Sequence, residues 1–458
     1  MSIRWVLIAV AALLGCSGGT MGTASRTTLR TSATTAAPDP VSAVPTSGEQ
    51  LATSTSAVAV APWVIDTATC DDPAGAAAVL SEPVRITALA PSRGLPGAAA
   101  TPVIHALQVG LAAASPATSF SVIADPTDPQ ARAELFAAAD ADLFVGIVGS
   151  EASSTAAEVL ARQCVPQLFS LGDASRLDDP DASPWTMSAA IAATVESNAF
   201  MADVKATSDG EGDGDGDPAG PRVGVFLTIA DSADSTEAAL RNAADSLGLS
   251  VDLVSRVDPF DSLGIEVAAN TLVAASLDAV VVASSGLDCI SFLQAWDKAL
   301  GEPTEAAPVR PTVYLAGACA SRAVARGAGE AGQGAISSAV FVDVDDPTVA
   351  AEPQVTEYLD AMRGAGFAHE ASFGVAGWVV AQATTAVLRH AAATAAGLSR
   401  VSIIEAARGL TFESGLLRPG ISIETNGGED PFAFDTVQLV TYLAVSDTYE
   451  DRGAAVRR

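Results

Sequence analysis

The chain has 458 residues, of which 49% are hydrophobic, and a formal net charge of −30. An acidic surface of this kind excludes a general affinity for nucleic acid or anionic lipid, since both are bound by basic patches. About 390 residues remain after the N-terminal segments described below, which is more than one ordinary core and predicts two domains.

The N-terminus carries an export signal. Arg4 precedes the apolar run 5–14, which is too short to cross a bilayer, because a membrane span needs about 20 residues. The run closes with Leu13-Leu14-Gly15-Cys16, which resembles the lipobox of bacterial lipoprotein signal peptides. The resemblance implies a signal peptide at 1–15, a lipidated Cys16 and an extracytoplasmic protein that is lipid-anchored to the cell membrane. An ordinary secretory signal with an incidental cysteine is the alternative.

The segment that follows Cys16 has the composition of a spacer. Residues 16–61 are mostly Thr, Ser, Ala, Gly and Pro, without apolar periodicity. Because they cannot bury enough apolar surface to fold, we predict a disordered tether. Residues 62–83 form an N-terminal lead-in to the first strand. No later apolar run reaches membrane-spanning length without interruption, so the lipid is predicted to be the only contact with the membrane.

From residue 84, short β-branched runs alternate with Ala-rich helical stretches. Strands are predicted at 84–89, 120–124, 143–148 and 167–170, and helices at 102–114, 129–139 and 153–163. Such a βαβ series implies a parallel sheet that is covered by helices on both faces.

A second series of the same kind follows. Its strands are predicted at 223–227, 251–255, 279–283 and 312–316, and its helices at 236–247, 265–275 and 290–300. The Asp-Gly-rich segment 207–220 separates the two series. Its alternation is similar to calcium loops, but no helices frame it and no Glu closes a twelve-residue loop. We interpret it as a solvated acidic insertion, with calcium binding as the alternative.

The C-terminal part adds helices and one strand. Helices are predicted at 353–365, 373–394 and 402–408, a turn at 415–420, a last strand at 438–445 and a tail at 447–458. Two α/β units in tandem, completed by these elements, make two lobes.

Four cysteines remain beyond Cys16, and an even number in an exported protein favours disulfides. Cys289 and Cys319 each follow a strand-like run, so we predict that they pair, which leaves Cys70 with Cys164. The spacing matches no zinc site and the chain has three histidines, so no metal or cofactor is predicted. No nucleophile elbow, zinc-protease or phosphate-loop motif is present, and we predict no enzyme.

The order of several short segments carries a family resemblance. Phe144-Val145-Gly146-Ile147-Val148-Gly149-Ser150 is a strand that runs into the helix start Ser153-Ser154-Thr155, and Val165-Pro166-Gln167-Leu168-Phe169 opens the next strand. An acidic turn, Asp125–Ala131, precedes them. The chain in this respect resembles the type I periplasmic binding proteins, specifically the Leu/Ile/Val-binding branch of solute receptors for ABC importers.

The resemblance implies an α/β fold of two Rossmann-like lobes joined by a three-crossing hinge, with crossings near Ser188, Val344 and Pro419. Lobe 1 would then comprise 84–188 and 345–418. Lobe 2 would comprise 189–344 and 419–446.

Candidate ligand contacts in lobe 1 follow two strands. In parallel sheets, ligands lie beyond the carboxyl ends of strands, where helix N-termini offer free N–H groups. Gly149 and Ser150 occupy such a position, although Ser150 also suits a helix cap. The resemblance adds Gly172, Ala174 and Ser175, with Gly172 allowing a close backbone approach. A plain turn is the alternative for these three.

In lobe 2 the resemblance implies contacts at Asp231, Ser285 and Ala318, but the aromatic residues usual in the family are missing there. No carboxylate lies near Ala318 in the sequence, and a buried ligand ammonium without a counter-charge is costly. Asp231 and Asp288 are better interpreted as caps or solvated loop acids.

In lobe 1, Glu151 would repel a ligand carboxylate unless it points away. Together with the missing lobe 2 carboxylate, this argues against a plain zwitterionic amino acid as the ligand.

For function, the resemblance implies a monomeric receptor that closes its lobes on a small molecule (an amino acid, amide or organic acid). It would then deliver that ligand to an ABC permease in the membrane. A ligand-sensing or interaction lipoprotein of the same fold, with no transport role, is the alternative.

Overall fold

The computed structural model describes residues 63–91, 94–112, 114–126, 128–172, 177, 179–210, 220–229, 232–284, 286–301, 310–430 and 432–457. The signal peptide, Cys16, the tether and most of the acidic insertion lie outside the described residues.

The first predicted βαβ series forms a parallel five-stranded sheet. Its strands, in the spatial order β2-β1-β3-β4-β5, are β1 Val84–Ala90, β2 Thr118–Ala124, β3 Leu143–Val145, β4 Gln167–Ser170 and β5 Thr186–Ser188. All neighbouring pairs are parallel. The central strands β3 and β4 are fully buried, whereas the edge strand β2 alternates between partly buried and exposed residues. The sheet of lobe 1 therefore has the doubly covered form that the sequence predicts.

The second series forms a larger mixed sheet. Its spatial order is β14-β13-β10-β9-β8-β6-β7, with β15 also paired to β13. The strands are β6 Arg222–Thr228, β7 Ser250–Val257, β8 Ala279–Ala283, β9 Thr312–Leu315, β10 Ile336–Ala339, β13 Thr436–Leu443, β14 Thr448–Asp451 and β15 Val456–Arg457. Strands β6 to β10 are parallel, and β13 adds to β10 in the antiparallel sense. An α/β fold with two sheets, as the sequence predicts, is thus confirmed.

The described helices are numbered α1 to α12 in chain order. They are α1 Pro73–Ala77, α2 Gly94–Leu111, α3 Pro129–Ala138, α4 Ser150–Gln163, α5 Ala193–Gly210, α6 Ala233–Leu247, α7 Ser262–Ala274, α8 Gly286–Leu300, α9 Arg322–Ala328, α10 Pro353–Gly364, α11 Ala371–Ala392 and α12 Arg400–Ala407. Helix α2 begins eight residues before its predicted start and runs through Pro102. The predicted start of this helix at residue 102 was therefore wrong.

Helix α11 is the central helix of lobe 1. A Cβ added at Gly377 would lie 2.0 Å from the carbonyl oxygen of Val103 in α2, so α2 and α11 approach each other too closely for a side chain there. With the turn before it, α11 is long and apolar enough to span a membrane, yet 72% of its most apolar window is buried inside the protein. This burial is that of a core helix.

The lead-in is attached to lobe 1 by a disulfide and by a backbone hydrogen bond. The two disulfides pair as the sequence predicts, Cys70 with Cys164 and Cys289 with Cys319, at Cα–Cα separations of 5.5 and 6.0 Å. The first of them ties the lead-in to the C-terminal end of α4. The N–H of Leu80 donates to the carbonyl of Leu398 at 2.8 Å, which adds a backbone contact.

The chain passes between the two sheets at three places. The first crossing leads from β5 into α5, and the second leads from β10 towards α10. At the third, Leu417 pairs with Phe341 of the second crossing, but the chain then turns back. Strand β12, Ile423–Glu424, pairs with β11, Thr411–Phe412, directly after α12. Entry into the second sheet therefore comes at β13, later than the predicted boundary at Pro419.

The C-terminal residues, which we expected to form a tail, make strands β14 and β15 on β13. Between them, Arg452 Nε donates to both carboxylate oxygens of Asp203 in α5 at 2.8 Å, and Asp203 also accepts from the hydroxyl of Tyr314 at 2.7 Å. These contacts anchor the chain end to lobe 2.

Candidate functional site

The edge of lobe 1 where β3 ends leads directly into α4. Gly149 is the residue before α4 and has φ +104°, a conformation that favours glycine. Its N–H donates to the carbonyl of Leu171 at 3.1 Å, which joins the ends of β3 and β4. Ser150 is the first residue of α4 and is partly buried. Helix α4 thus begins three residues before its predicted start at Ser153, and Gly149 and Ser150 lie at its N-terminus beyond the strand end.

Gly172 packs against the start of α4. It is buried, and a Cβ there would lie 2.7 Å from Ser153 Oγ and 3.1 Å from Ser150 Cα. The missing side chain therefore gives room to the first turn of α4. Gly172 therefore helps to position the helix start, and its contact with a ligand stays a prediction.

The Glu151 carboxylate forms an ion pair with an arginine. Its Oε1 lies 3.1 Å from Nη1 of Arg132, which is 2% exposed. The same guanidinium donates to both oxygens of Asp125, at 2.8 and 3.0 Å. The hydrogen bonds that Arg132 donates to Asp125 raise the pKa of Arg132. Because Glu151 is paired, the edge of lobe 1 keeps the positive end of the α4 dipole available to an anionic group.

At the edge of lobe 2, Asp288 is buried and both its oxygens accept from the N–H of Phe260, at 3.2 Å each. It therefore lies buried in the first turn of α8 and holds the loop at Phe260, which corrects the expectation of a cap or a solvated loop acid. Ala318 lies exposed in a short 3₁₀ turn, Gly317–Cys319, directly after β9. Four other predicted contacts, Ala174, Ser175, Asp231 and Ser285, lie outside the described residues.

A carboxylate that sequence reasoning missed lies beside this turn. Glu196, in the first turn of α5, accepts at Oε1 from the N–H of Gly317 at 2.6 Å and from the hydroxyl of Ser338. Burial raises the pKa of Glu196, although the hydrogen bonds from Ser338 and Gly317 oppose the shift. The only signal in the sequence was an acidic residue shortly after the first crossing. Its partners are 121 and 142 residues away.

Two cavities lie elsewhere. One of about 800 Å³ is lined by Trp296, Arg310, Thr312 and Glu330, among others, at the edge of lobe 2 where β9 begins. Another of about 460 Å³ lies between the lead-in residue Trp63 and helix α12. In the part of the chain that the structure describes, no His, Cys, Asp and Glu side chains gather in a group that could hold a metal ion.

This fold, two sheets joined by chain crossings, can be compared with known proteins. The family described as "Periplasmic binding protein" matches residues 124–438. The chain belongs to this family. Within it, the Leu/Ile/Val-binding type I proteins are the group that it resembles. No curated protein matches the chain.

Solved structures share the fold of this periplasmic binding protein at low identity. A branched-chain amino acid ABC transporter protein from Thermus thermophilus with bound valine is 13% identical, with a TM-score of 0.67, and the match covers 82% of this chain and 96% of that one. A solute-binding protein from R. palustris in complex with benzoate is 14% identical, with a TM-score of 0.63 and coverages of 82% and 98%. A leucine binding protein from Thermotoga maritima MSB8 is also 14% identical, with a TM-score of 0.61 and coverages of 82% and 99%.

The family consists of solute-binding proteins that are extracytoplasmic, bind small ligands and work with ABC transporters.

Proposed function

We propose that this chain is an extracytoplasmic receptor that closes its two lobes on a small solute and delivers it to an ABC importer. The observation that carries the proposal is the start of α4 beyond the strand end, where Gly149 and Ser150 present a helix N-terminus beside Gly172. Such a terminus binds the anionic or polar end of a ligand.

Closure explains how such a receptor signals occupancy. The ligand contacts both lobes only in the closed form, so it shifts an open–closed equilibrium by its differential affinity for the two forms. Residues near the crossings then change their relative positions, and the permease receives a shape that reports a bound solute. The protein supplies binding and orientation, and no catalytic step is required.

Anchoring is the second part of the proposal. Lipid on Cys16 would hold the receptor at the membrane, and the segment 16–61 would give it reach. A single acyl chain binds membranes only marginally, so more than one chain is expected on the cysteine. Cys16→Ser should move the full chain from the membrane fraction to the soluble fraction. An unchanged membrane fraction would refute the lipid anchor.

A thermal-shift screen of the full chain tests the receptor role. Amino acids, amides and organic acids, including the valine and benzoate bound by the two relatives above, are the probes. A binding solute raises the melting temperature by mass action. Absence of a shift with every probe would contradict the proposal.

Ser150→Ala tests the assignment of the site. Loss of a hydrogen bond to a charged group should weaken the best probe by about 10-fold or more. Thr155→Ala is the matched control in the same helix, because the Thr155 hydroxyl donates to the carbonyl of Glu151 at 2.9 Å. Equal affinities of the two variants would remove Ser150 from the site.

A further inference from the structure

Two ion pairs join the lobes at one lateral end of their sheets. Arg418 lies in the loop between β11 and β12, which pair with each other directly after helix α12 of lobe 1. Its Nη1 donates to Oδ1 of Asp451, in strand β14 of the lobe 2 sheet, at 2.7 Å. Arg457 Nη2, in β15, lies 3.3 Å from Oε2 of Glu424, in β12. Each lobe supplies one cation and one anion, and we call these two pairs the ionic latch.

The loop that carries Arg418 is held against the second crossing. The N–H of Arg418 donates to the carbonyl of Val340 at 2.9 Å. Beside it, the N–H of Val342 donates to the carbonyl of Leu416 at 3.0 Å. The Arg418 side chain is 11% exposed. Because its backbone and side chain are already held, Arg418 loses little conformational freedom when it pairs with Asp451. We therefore expect this pair to be stronger than an ordinary surface ion pair.

The strand order of lobe 2 puts the latch on the outer side of the crossings. Strands β10 and β13 are the ones next to the second and third crossings. Strands β9, β8, β6 and β7 lie on one side of this pair, and β14 lies on the other. The parallel strands that end at the candidate site and the strand that carries Asp451 are therefore separated by the strands at the crossings.

Lobe 1 has the same arrangement. Strand β5, which leads into the first crossing, is the edge strand next to β4. The carbonyl of Trp185 faces β4 and accepts from the N–H of Gln167 at 2.8 Å. Successive carbonyls of a strand point in opposite directions, and the next one, that of Thr186, accepts from Nη2 of Arg408 at 2.5 Å. Arg408 directly precedes the β11–β12 hairpin, so this hairpin begins on the outer side of β5, away from the ends of β3 and β4.

Rotation about the crossings moves their two sides in opposite directions. When the ends of β6, β8 and β9 approach lobe 1, the latch on the far side is pulled apart relative to this structure. We propose that the ionic latch is a conformational device that opposes closure and sets the fraction of receptor in the closed form. This inference rests on the receptor function proposed above.

The latch would tune affinity without any contact to the solute. A solute that binds only the closed form has an apparent affinity that is reduced in proportion to the closed fraction. Neutralising the latch should therefore tighten binding. Salt should act in the same direction, because it screens exposed charges.

The experiment measures the distance between the lobes in the solute-free full chain by pulsed electron paramagnetic resonance. Spin labels are attached to ketone-bearing residues at positions 130 and 263, so the native cysteines are unchanged. Gln130 and Leu263 are exposed and lie in the helices that follow the edge strands β2 and β7, at the ends of the sheets opposite the latch. The double variant Asp451→Asn, Glu424→Gln should shift this distance to shorter values.

Two further conditions separate the charge of the latch from support of the fold. Asp451→Glu keeps the charge and should give the wild-type distance. Raising the NaCl concentration from about 0.05 to about 1 M should shorten the distance in the wild type and change it little in the double variant. Asp297→Asn is the matched control, because the Asp297 carboxylate pairs with Arg310 within lobe 2, also at 2.8 Å. It should keep the wild-type distance.

Affinity gives a second reading. The tightest-binding probe of the thermal-shift screen should bind the double variant about 3- to 10-fold more tightly than the wild type. An unchanged or longer distance, or an equal or weaker affinity, in the double variant would overturn the inference and leave the receptor function intact. Absence of binding with every probe would contradict the receptor function, while the distances would still test the latch.

Discussion

The two lobes differ in the chemistry of the edge at which their parallel strands end. In lobe 1 the nearest acid, Glu151, is paired with the buried Arg132, and the first turn of α4 presents N–H groups. In lobe 2 the nearest acid, Glu196, is held by neutral donors. The acid at one edge is therefore neutralised by a cation, and the acid at the other is held by neutral groups alone. The comparison teaches that the same βαβ architecture gives strand ends of different electrostatic character through a few side chains.

The glycines make the comparison closer. Gly172 follows β4 and leaves room for the start of α4, while Gly317 follows β9 and leaves room for the Glu196 carboxylate. Each glycine thus lies beside a polar side chain that reaches the end of a strand. A small residue at each of these strand ends matters because it leaves room for the neighbouring group.

The largest expected effects come from the disulfides. Replacing Cys70 and Cys164 by serine opens a loop with a sequence separation of 94, and should lower the free energy of unfolding by about 4–5 kcal/mol. Replacing Cys289 and Cys319, with a separation of 30, should lower it by about 3–4 kcal/mol. Denaturant unfolding measures both.

For solute affinity, the order of the two double variants should be reversed. Cys289 and Cys319 fix the start of α8 and the turn beside Gly317, whereas Cys164 lies at the far end of α4 from Ser150. Loss of the lobe 2 disulfide should therefore weaken the best probe more. Equal losses of affinity would break the distinction between the two edges.

The next effect is that of Arg132→Met. It removes the guanidinium that pairs with Asp125, whose side chain is 10% exposed, and should cost about 3 kcal/mol of stability. It also frees the charge of Glu151 beside Ser150, so binding of probes with a carboxylate should weaken. Glu151→Gln, at a side chain 60% exposed, is the control that should change stability little. A stable Arg132→Met variant with unchanged affinity would contradict this account of the lobe 1 edge.

Alanine at each of the two glycines should have a smaller effect. Gly172→Ala brings a methyl group against the backbone at Ser150, and overpacking of this kind costs about 1–3 kcal/mol. Gly317→Ala meets mainly the ends of side chains, which can shift, so its stability should fall less. Thermal unfolding gives the stabilities. A larger loss for Gly317→Ala would show that the turn after β9 is the more rigid element.

The smallest effect concerns the stability of the solute-free chain. The pKa of Glu196 is raised above its ordinary value of 4.5, mainly by burial. Folding therefore favours the protonated form, and this contribution to stability is lost as the pH rises from 4.5 through the folded-state pKa. Compared with Glu196→Gln, the wild type should lose stability over this range. Parallel stability curves of the two proteins between pH 4 and 8 would contradict the prediction.

The local pattern of the sequence predicts much of the fold. The βαβ order is predicted from apolar runs such as β8 and from the Ala-rich helices between such runs. A strand that is buried on both faces is visible in the sequence as an uninterrupted apolar stretch. The disulfide pairing also follows from strand order. By contrast, β14, Thr448–Asp451, is short and contains two acids, and it forms only because β13 offers an edge for pairing.

The site is less accessible to sequence reasoning. Gly149 and Ser150 can be proposed from the sequence because a strand end and a helix start are adjacent in the chain. Glu196 was missed because its contacts with Gly317 and Ser338 depend on the first crossing, which brings α5 to the ends of β9 and β10. The role of Gly172 depends on a contact with α4 that likewise exists only in the folded lobe.

The most direct measurement is a crystal structure of the chain with the tightest-binding probe from the thermal-shift screen. The account predicts that the probe lies between the two lobes, with its carboxylate or polar end at Ser150 and the first turn of α4. A probe bound in the reverse orientation, or in the cavity lined by Trp296 and Arg310 at the opposite edge of lobe 2, would contradict it.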